Sequence, residues 1–406
     1  MACLELVDKI MVHLDRGETP IAFFLDLSKA FDTLNHNILL NKLQYYGVGG
    51  GALRWFQNYL STRTQFVEID GIRSNFSNID TGVPQGSILG PLLFIIYMND
   101  INIVSKKFEA ILYADDTSLS SILKTFSNSA SDNTSHDINT ELALIHDWLL
   151  ANKLSLNIKK TKYMIFRYPQ KHISSLPSLS MYINGHKLEK VVNFEFLGIT
   201  INETLSWKPH IDKIATKISK VIGIMSRCKR YLPSSVLIKM YNSLILSRIN
   251  YGITCWGFDN KRIYKLQKKA LRIICKKKYN AHTDPLFIYL KTMKVHDIFQ
   301  MQCLKFYYQH ENLNLPNYFI NMLTENTPHH TYNMRPRLPA PVNRPNKKSS
   351  EKILRYYLPN FIITIPEHIK SSIYTHSLQS TKYKYKSFVL ANYQPVCSIP
   401  NCYVCN

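Results

Sequence analysis

Tyr113-Ala114-Asp115-Asp116 sits between two short runs, residues 110–113 and 117–121, that read as strands. The four residues therefore read as the tip of a hairpin with two carboxylates on it. Aspartate is a poor strand former. A carboxylate beside buried strands destabilises them unless it has a partner. A second carboxylate has the same setting. Residues 21–27 are a short apolar run fit for a buried strand, and Asp26 follows Phe23-Phe24-Leu25 at its end.

If these strands are neighbours, Asp26 and Asp115 face each other. Like charges that close call for a cation between them. Hard carboxylate oxygens select Mg²⁺, with Mn²⁺ as a substitute. Two such ions are a device for phosphoryl transfer: they lower the pKa of an attacking hydroxyl and steady the leaving group. Each acidic site alone also reads as a helix cap or a turn; the pair gives the reading its weight.

Between the two lies Thr81-Gly82-Val83-Pro84-Gln85-Gly86-Ser87-Ile88-Leu89-Gly90-Pro91. Its glycines and prolines predict a tight loop before a buried helix over residues 88–101. Free backbone N–H groups and the Gln85 side chain at a helix amino terminus suit a sugar phosphate or nucleotide. An ordinary loop-to-helix cap is the alternative.

Outward from this centre, residues 3–16 carry apolar side chains at helical spacing, and Gly17 ends that helix. Asp70-Gly71 predicts a hairpin turn. Residues 124–136 read as a polar loop followed by a helix, and residues 163–166 and 193–201 as strands. A long amphipathic helix starts near Trp207, and mostly helical sequence runs to about residue 310. The 406 residues are 45% apolar, enough for real cores, and 50 Lys and Arg against 28 Asp and Glu suit a polyanion. The longest apolar run is too short to span a bilayer and contains Gly90 and Pro91, so a soluble, intracellular protein without a membrane partner is expected.

The motifs resemble those of reverse transcriptases from retrotransposons lacking long terminal repeats. Phe24-Leu25-Asp26-Leu27-Ser28-Lys29-Ala30-Phe31-Asp32 with His36 resembles polymerase motif A, Gly82-Val83-Pro84-Gln85-Gly86-Ser87 motif B, and Tyr113-Ala114-Asp115-Asp116 motif C. Leu154-Ser155-Leu156-Asn157 with Lys160-Thr161-Lys162 and Met164-Ile165-Phe166 is similar to motif D, and Phe196-Leu197-Gly198-Ile199 to motif E. More weakly, Trp207-Lys208-Pro209-His210-Ile211 resembles the start of a thumb, and residues 247–252 and Tyr332-Asn333 with Arg335 resemble fragments found later in such elements.

The resemblance implies an α+β fold: a right-hand polymerase palm, an antiparallel sheet with packed helices, plus a helical thumb and a helical or irregular C-terminal region. It implies an RNA-directed DNA polymerase that works on an RNA template, a DNA primer or hybrid duplex, and deoxynucleoside triphosphates. Asp26 and Asp115 match the metal-binding aspartates, and Asp116 completes the acidic centre. Phe31 matches the aromatic gate that excludes a 2′-hydroxyl, although a core phenylalanine fits the position equally. Pro84, Gln85 and Gly86 match the nucleotide-side loop. Lys160 matches the lysine that protonates pyrophosphate, with a solvated surface lysine as the alternative.

The expected domains are a palm with partial fingers over 1–205, a thumb over 206–260, a basic helical region over 261–325, and a Pro-rich, basic tail over 326–406. Residues 261–278 hold nine Lys or Arg and no acid. Lys268, Lys269, Arg272 and Lys276 are the expected nucleic-acid contacts there. A solvated helix face and a nuclear-localisation signal are the other readings; a nuclear protein is expected. Cys397, Cys402 and Cys405 are spaced C-x₄-C-x₂-C, three ligands where zinc needs four, so free cysteines or a truncated knuckle are expected rather than a zinc site.

Motif A begins some twenty residues after Met1, with only Lys9 and Arg16 as basic side chains before it. The expectation that follows is a weak or inactive polymerase, short of the basic fingers that grip a triphosphate and without a target-nicking domain. A polymerase-derived nucleic-acid-binding fragment is thus the alternative function.

Overall fold

The computed structural model describes residues 1–61, 63–123, 131–169, 179–258, 260–324 and 353–395. They form two compact units. One is residues 17–197; the other joins residues 3–16 to the chain from Gly198 onward.

The first unit is built on a five-stranded sheet. Its strands are β1 (Thr19–Leu25), β2 (Glu109–Tyr113), β3 (Asp116–Leu123), β4 (Lys162–Ile165) and β5 (Glu189–Lys190), in the order β5-β4-β1-β3-β2. All pairs are antiparallel except β5 with β4. Central β1 is buried along its whole length, as its unbroken apolar run requires. Its side chains alternate between two faces. Ile21, Phe23 and Leu25 join Leu119 and Leu123 of β3 and Tyr163 and Ile165 of β4 in one core. That core is completed by Leu93, Phe94 and Tyr97 of a helix at Leu89–Met98 and by Leu142, Ile145 and Leu149 of a helix at Ser131–Ala151. Each large side chain fully buried there contributes about 1.5–3 kcal/mol. Ala22 and Phe24 point to the opposite face, where Phe24 stacks on Phe194 at 4.1 Å between ring centroids.

The helix at Leu89–Met98 is not buried all round as its composition suggested. Leu92 and Ile95 are half-exposed and Ile88, just before it, is exposed, so only the Leu93–Phe94–Tyr97 side faces the core. The hairpin at Asp70-Gly71 forms, pairing Glu68–Ile69 with Ile72–Arg73. The expected strand over 193–201 is two strands, Asn193–Phe196 and Ile199–Asn202. Leu197 and Gly198 between them both take positive φ, 49° and 74°, which no extended strand tolerates. Helix already begins at Ser131, inside the expected polar loop.

The second unit is helical. Helix α1 (Ala2–Asp15) belongs to it, whereas its place ahead of β1 suggested the palm. Buried Asp8 explains its lodging: Arg355 donates to that carboxylate at 2.8 Å and the Tyr318 hydroxyl at 2.6 Å. Two further helices matter below, α2 (Lys208–Cys228) and α3 (Lys261–Ile274). Among the described residues no helix is long and apolar enough to cross a membrane. The tail over 326–350, with Tyr332, Asn333 and Arg335, lies outside the described residues, as do Cys397, Cys402 and Cys405.

Candidate active site

The register of the sheet assembles the acidic centre. Leu25 pairs with Thr117 in antiparallel fashion. One step further along the same register, Asp26 comes abreast of Asp116. Tyr113 pairs with Asp116, so Ala114 and Asp115 form a two-residue turn, with Ala114 in the left-handed region at φ 53°. A non-glycine residue there stores about 1–2 kcal/mol of strain, which fixes where the two aspartates are presented. Asp26 and Asp116 lie on the sheet face opposite the helices, the face of Phe24 and Ser118.

Electrostatics report the same convergence. The Asp116 carboxyl is raised above the ordinary carboxylate range, first by desolvation and then by repulsion from Asp115 and Asp26. Among the described residues no three His, Cys, Asp or Glu side chains form a ready-made ion cage. The donor set nevertheless fits magnesium, which keeps several waters and is usually held by one or two carboxylates together with substrate phosphates.

Lys160 places its ammonium 3.6 Å from an Asp26 carboxylate oxygen. Motif D reaches the site through backbone pairing: Asn157 N–H donates to Asp26 C=O at 2.8 Å and Ser28 N–H to Ser155 C=O at 2.8 Å. Thr161, quoted within motif D without a role, accepts from Asp26 N–H through its hydroxyl at 3.4 Å.

The loop over 81–91 docks against the segment after Asp26. Gly82 N–H donates to Leu34 C=O at 2.7 Å and Val83 N–H to Phe31 C=O at 2.9 Å. The two strands of loop approach so closely that a Cβ on Gly82 would lie 2.7 Å from the Asp32 carbonyl oxygen. Exposed Gln85 donates from its amide to an Asp32 carboxylate oxygen at 2.9 Å, and the His36 ring nitrogen Nε2 lies 2.7 Å from the Gly82 carbonyl oxygen. Asp32 and His36 were quoted within motif A without a role. Their signal was only their fixed spacing from Asp26, and their partners are some fifty residues away. Pro84 and Gly86 sit in the same loop, with Ser87 capping the turn by donating to Pro84 C=O at 2.8 Å. Phe31 is half-buried and stacks on Phe94 at 4.6 Å. It therefore has a packing role whatever else it does.

The four basic residues expected to contact nucleic acid divide. Lys269 is exposed, and Lys276 lies exposed just past the helix at φ 54°. Lys268 places its ammonium over the Tyr264 ring, 4.7 Å from the centroid, and Arg272 donates to Ala281 C=O at 2.7 Å. Earlier on the helix, Arg262 pairs with Asp212 of α2.

A helix-backed antiparallel sheet with carboxylates converging on its open face is the palm of a nucleic-acid polymerase. Residues 5–201 match the family described as reverse transcriptase (RNA-dependent DNA polymerase). Over that span the chain is similar to the reverse transcriptase domains carried by retrotransposons without long terminal repeats. It is 26% identical over 316 residues to the RNA-directed DNA polymerase from mobile element jockey of Drosophila melanogaster, covering 73% of this chain and 32% of that protein. It is 24% identical over 312 residues to the probable RNA-directed DNA polymerase from transposon X-element of Drosophila melanogaster, covering 72% and 32%. The chain thus spans about a third of the length of these relatives. Among solved structures, apo telomerase from Candida tropicalis is similar over 72% of this chain and 49% of that one, at 14% identity and a TM-score of 0.39, too distant to carry an argument.

Proposed function

We propose that this chain extends a DNA primer by copying RNA, joining deoxynucleoside triphosphates to the primer 3′-hydroxyl. The observation that carries the reading is the register that sets Asp26 beside Asp116, with Asp115 in the adjoining turn. Asp26 and Asp115 would hold Mg²⁺ or Mn²⁺, with Asp116 adding charge beside them. When bound, the ions supply the positive field that favours an ionised 3′-hydroxyl and a departing pyrophosphate. The chain's own residues do the positioning. Phe31 fills the space a 2′-hydroxyl would need. Gln85, tethered to Asp32, offers its remaining amide oxygen to the nucleotide. Lys160 stands where it can pass a proton to pyrophosphate and, before that, balances the Asp26 charge. The exposed lysines of α3 meet the template–primer backbone. Because DNA primer ends lie in the nucleus, that is the proposed place of work.

Primer extension on poly(rA)/oligo(dT) with Mg²⁺ tests the reading. Template-dependent incorporation of dTTP is expected for the native chain and its loss for Asp115→Asn. Equal incorporation by both would remove the acidic centre from the reaction.

A further inference from the structure

The second unit contains a cavity of about 440 Å³ among α3, the helix α4 (Val295–Glu311) and the helix α5 (Leu378–Ala391). That is within the 300–1,000 Å³ of small-molecule sites. It belongs to a different unit from the acidic centre. Four aromatic side chains line it: Tyr264, Tyr385, Phe388 and Tyr393.

The polar groups in the cavity are partly committed and partly not. Tyr385 donates to Gln300 Oε1 at 2.9 Å, and Gln300 Nε2 donates to Tyr357 at 3.3 Å, so Gln300 is held at both ends. Tyr393 donates to Asp297 Oδ2 and accepts from Lys294 N–H at 3.0 Å. Asn260 donates its amide to Gly257 C=O at 2.9 Å. Asp297 Oδ1, Asn260 Oδ1 and the Asn392 side chain keep no hydrogen-bond partner among the described residues. The cavity therefore offers aromatic side chains and held acceptors, among them the Asp297 carboxyl, which burial raises although the Tyr393 hydroxyl, His296 and Lys294 pull it back down.

Such a lining suits a flat ring with several N–H donors on one edge. A phosphate would meet Asp297, offset in the lining only by exposed His296 and by Lys294, which is already paired with Asp284 at 2.8 Å. A cationic side chain would meet Lys294, whose ammonium already lies 4.1 Å from the centroid of the Tyr393 ring. A neutral base meets neither objection. Asn260, in the wall, directly precedes α3, whose Lys261 and Lys265 are exposed and would take the phosphates on either side of an inserted base.

We propose that the cavity receives one unstacked, amino-bearing purine, guanine first, from a single strand of nucleic acid whose backbone lies along α3. The guanine N1–H and 2-amino group donate to Asp297 and the neighbouring amide oxygens, and the ring stacks on the aromatic wall. The proposal rests on the nucleic-acid reading above and adds to it a base-specific anchor remote in sequence from the polymerase motifs.

Fluorescence anisotropy with the full chain tests it, using three RNA decamers: uridine only, uridine with one central guanosine, and uridine with one central inosine, which lacks the 2-amino group. The guanosine strand is expected to bind about tenfold more tightly than uridine alone, with inosine between. Asp297→Asn and the exposed-site variant Asn392→Ala should each remove the guanosine advantage and leave the uridine affinity unchanged. Equal binding of all three strands by the native chain would overturn the pocket and spare the nucleic-acid reading. Failure to bind any strand would overturn both.

Discussion

Gly82→Ala, set against Gly86→Ala, isolates the contact that joins the loop over 81–91 to the segment after Asp26. Both glycines take positive φ, 85° and 81°. A methyl group at either position costs about 1–2 kcal/mol for the left-handed conformation. It also stiffens the unfolded chain and regains about 0.4–1 kcal/mol. These terms are common to both variants and cancel in the comparison. At Gly86 an added Cβ meets nothing within 4 Å. At Gly82 it would lie 2.7–2.8 Å from the Asp32 carbonyl oxygen, carbonyl carbon and Cα. Backbone cannot swing aside as a side chain can, so Gly82→Ala should cost about 1–3 kcal/mol more than Gly86→Ala. Urea unfolding of the two variants, followed by circular dichroism, measures the difference. If the two agree to within about 0.5 kcal/mol, a typical limit for surface substitutions, the loop does not lie on Asp32 as described, and the Gln85–Asp32 tether loses its basis.

Asp116→Asn should raise the melting temperature at pH 7. A carboxyl held above its unfolded pKa, here by desolvation and then by repulsion from Asp115 and Asp26, opposes folding once ionised, so the gain should be full at neutral pH and vanish as pH falls through the unfolded value; a pH-independent gain would mean that the ionised carboxylate is not its source. Calorimetric titration with Mg²⁺ or Mn²⁺ should show binding weakened in both Asp26→Asn and Asp115→Asn, and unchanged binding in both would remove the two-carboxylate metal reading. Phe31→Ala should lose part of the ~3–5 kcal/mol typical of a fully buried phenylalanine and also admit ribonucleotides during primer extension. Stability loss with unaltered sugar discrimination would leave Phe31 as core alone. Changing Lys268, Lys269, Arg272 and Lys276 to Gln should flatten the salt dependence of RNA binding by up to about 0.7–0.9 log unit per lost phosphate contact, and an unaltered slope would show that α3 faces only solvent.

Strands β1 to β4 were legible because each is a short apolar run, and Asp26 and Asp115-Asp116 could be read as strand-end carboxylates for the same reason; β5, the charged pair Glu189–Lys190, carries no such run and was not read. That the strands are neighbours was not legible from either run; it came with the motif order. Asp70-Gly71 carried its own turn chemistry, whereas nothing local announces that Leu197 takes a positive φ. Helix α1 shows an apolar face but not what that face meets; its partner includes Arg355, some 350 residues away. The Leu89–Met98 helix misled for a related reason. Composition reports apolarity, not which side finds a neighbour, and the exposed Leu92 and Ile95 look the same in sequence as buried Leu93 and Phe94.

The place of β1 in the middle of the sheet has a consequence for how the acidic centre comes apart. Strand β1 is laced to a neighbour on each side, β3 and β4, whereas β2 is an edge strand with a partner on one side only. Fraying begins where ladders are single, so amide hydrogen exchange should be faster in β2 than in β1. The turn at Ala114-Asp115 moves with the fraying hairpin, while Asp26 stays anchored by its link to Asn157. Breathing of the edge should therefore shift Asp115 against a stationary Asp26, loosening the site without melting the domain beneath it.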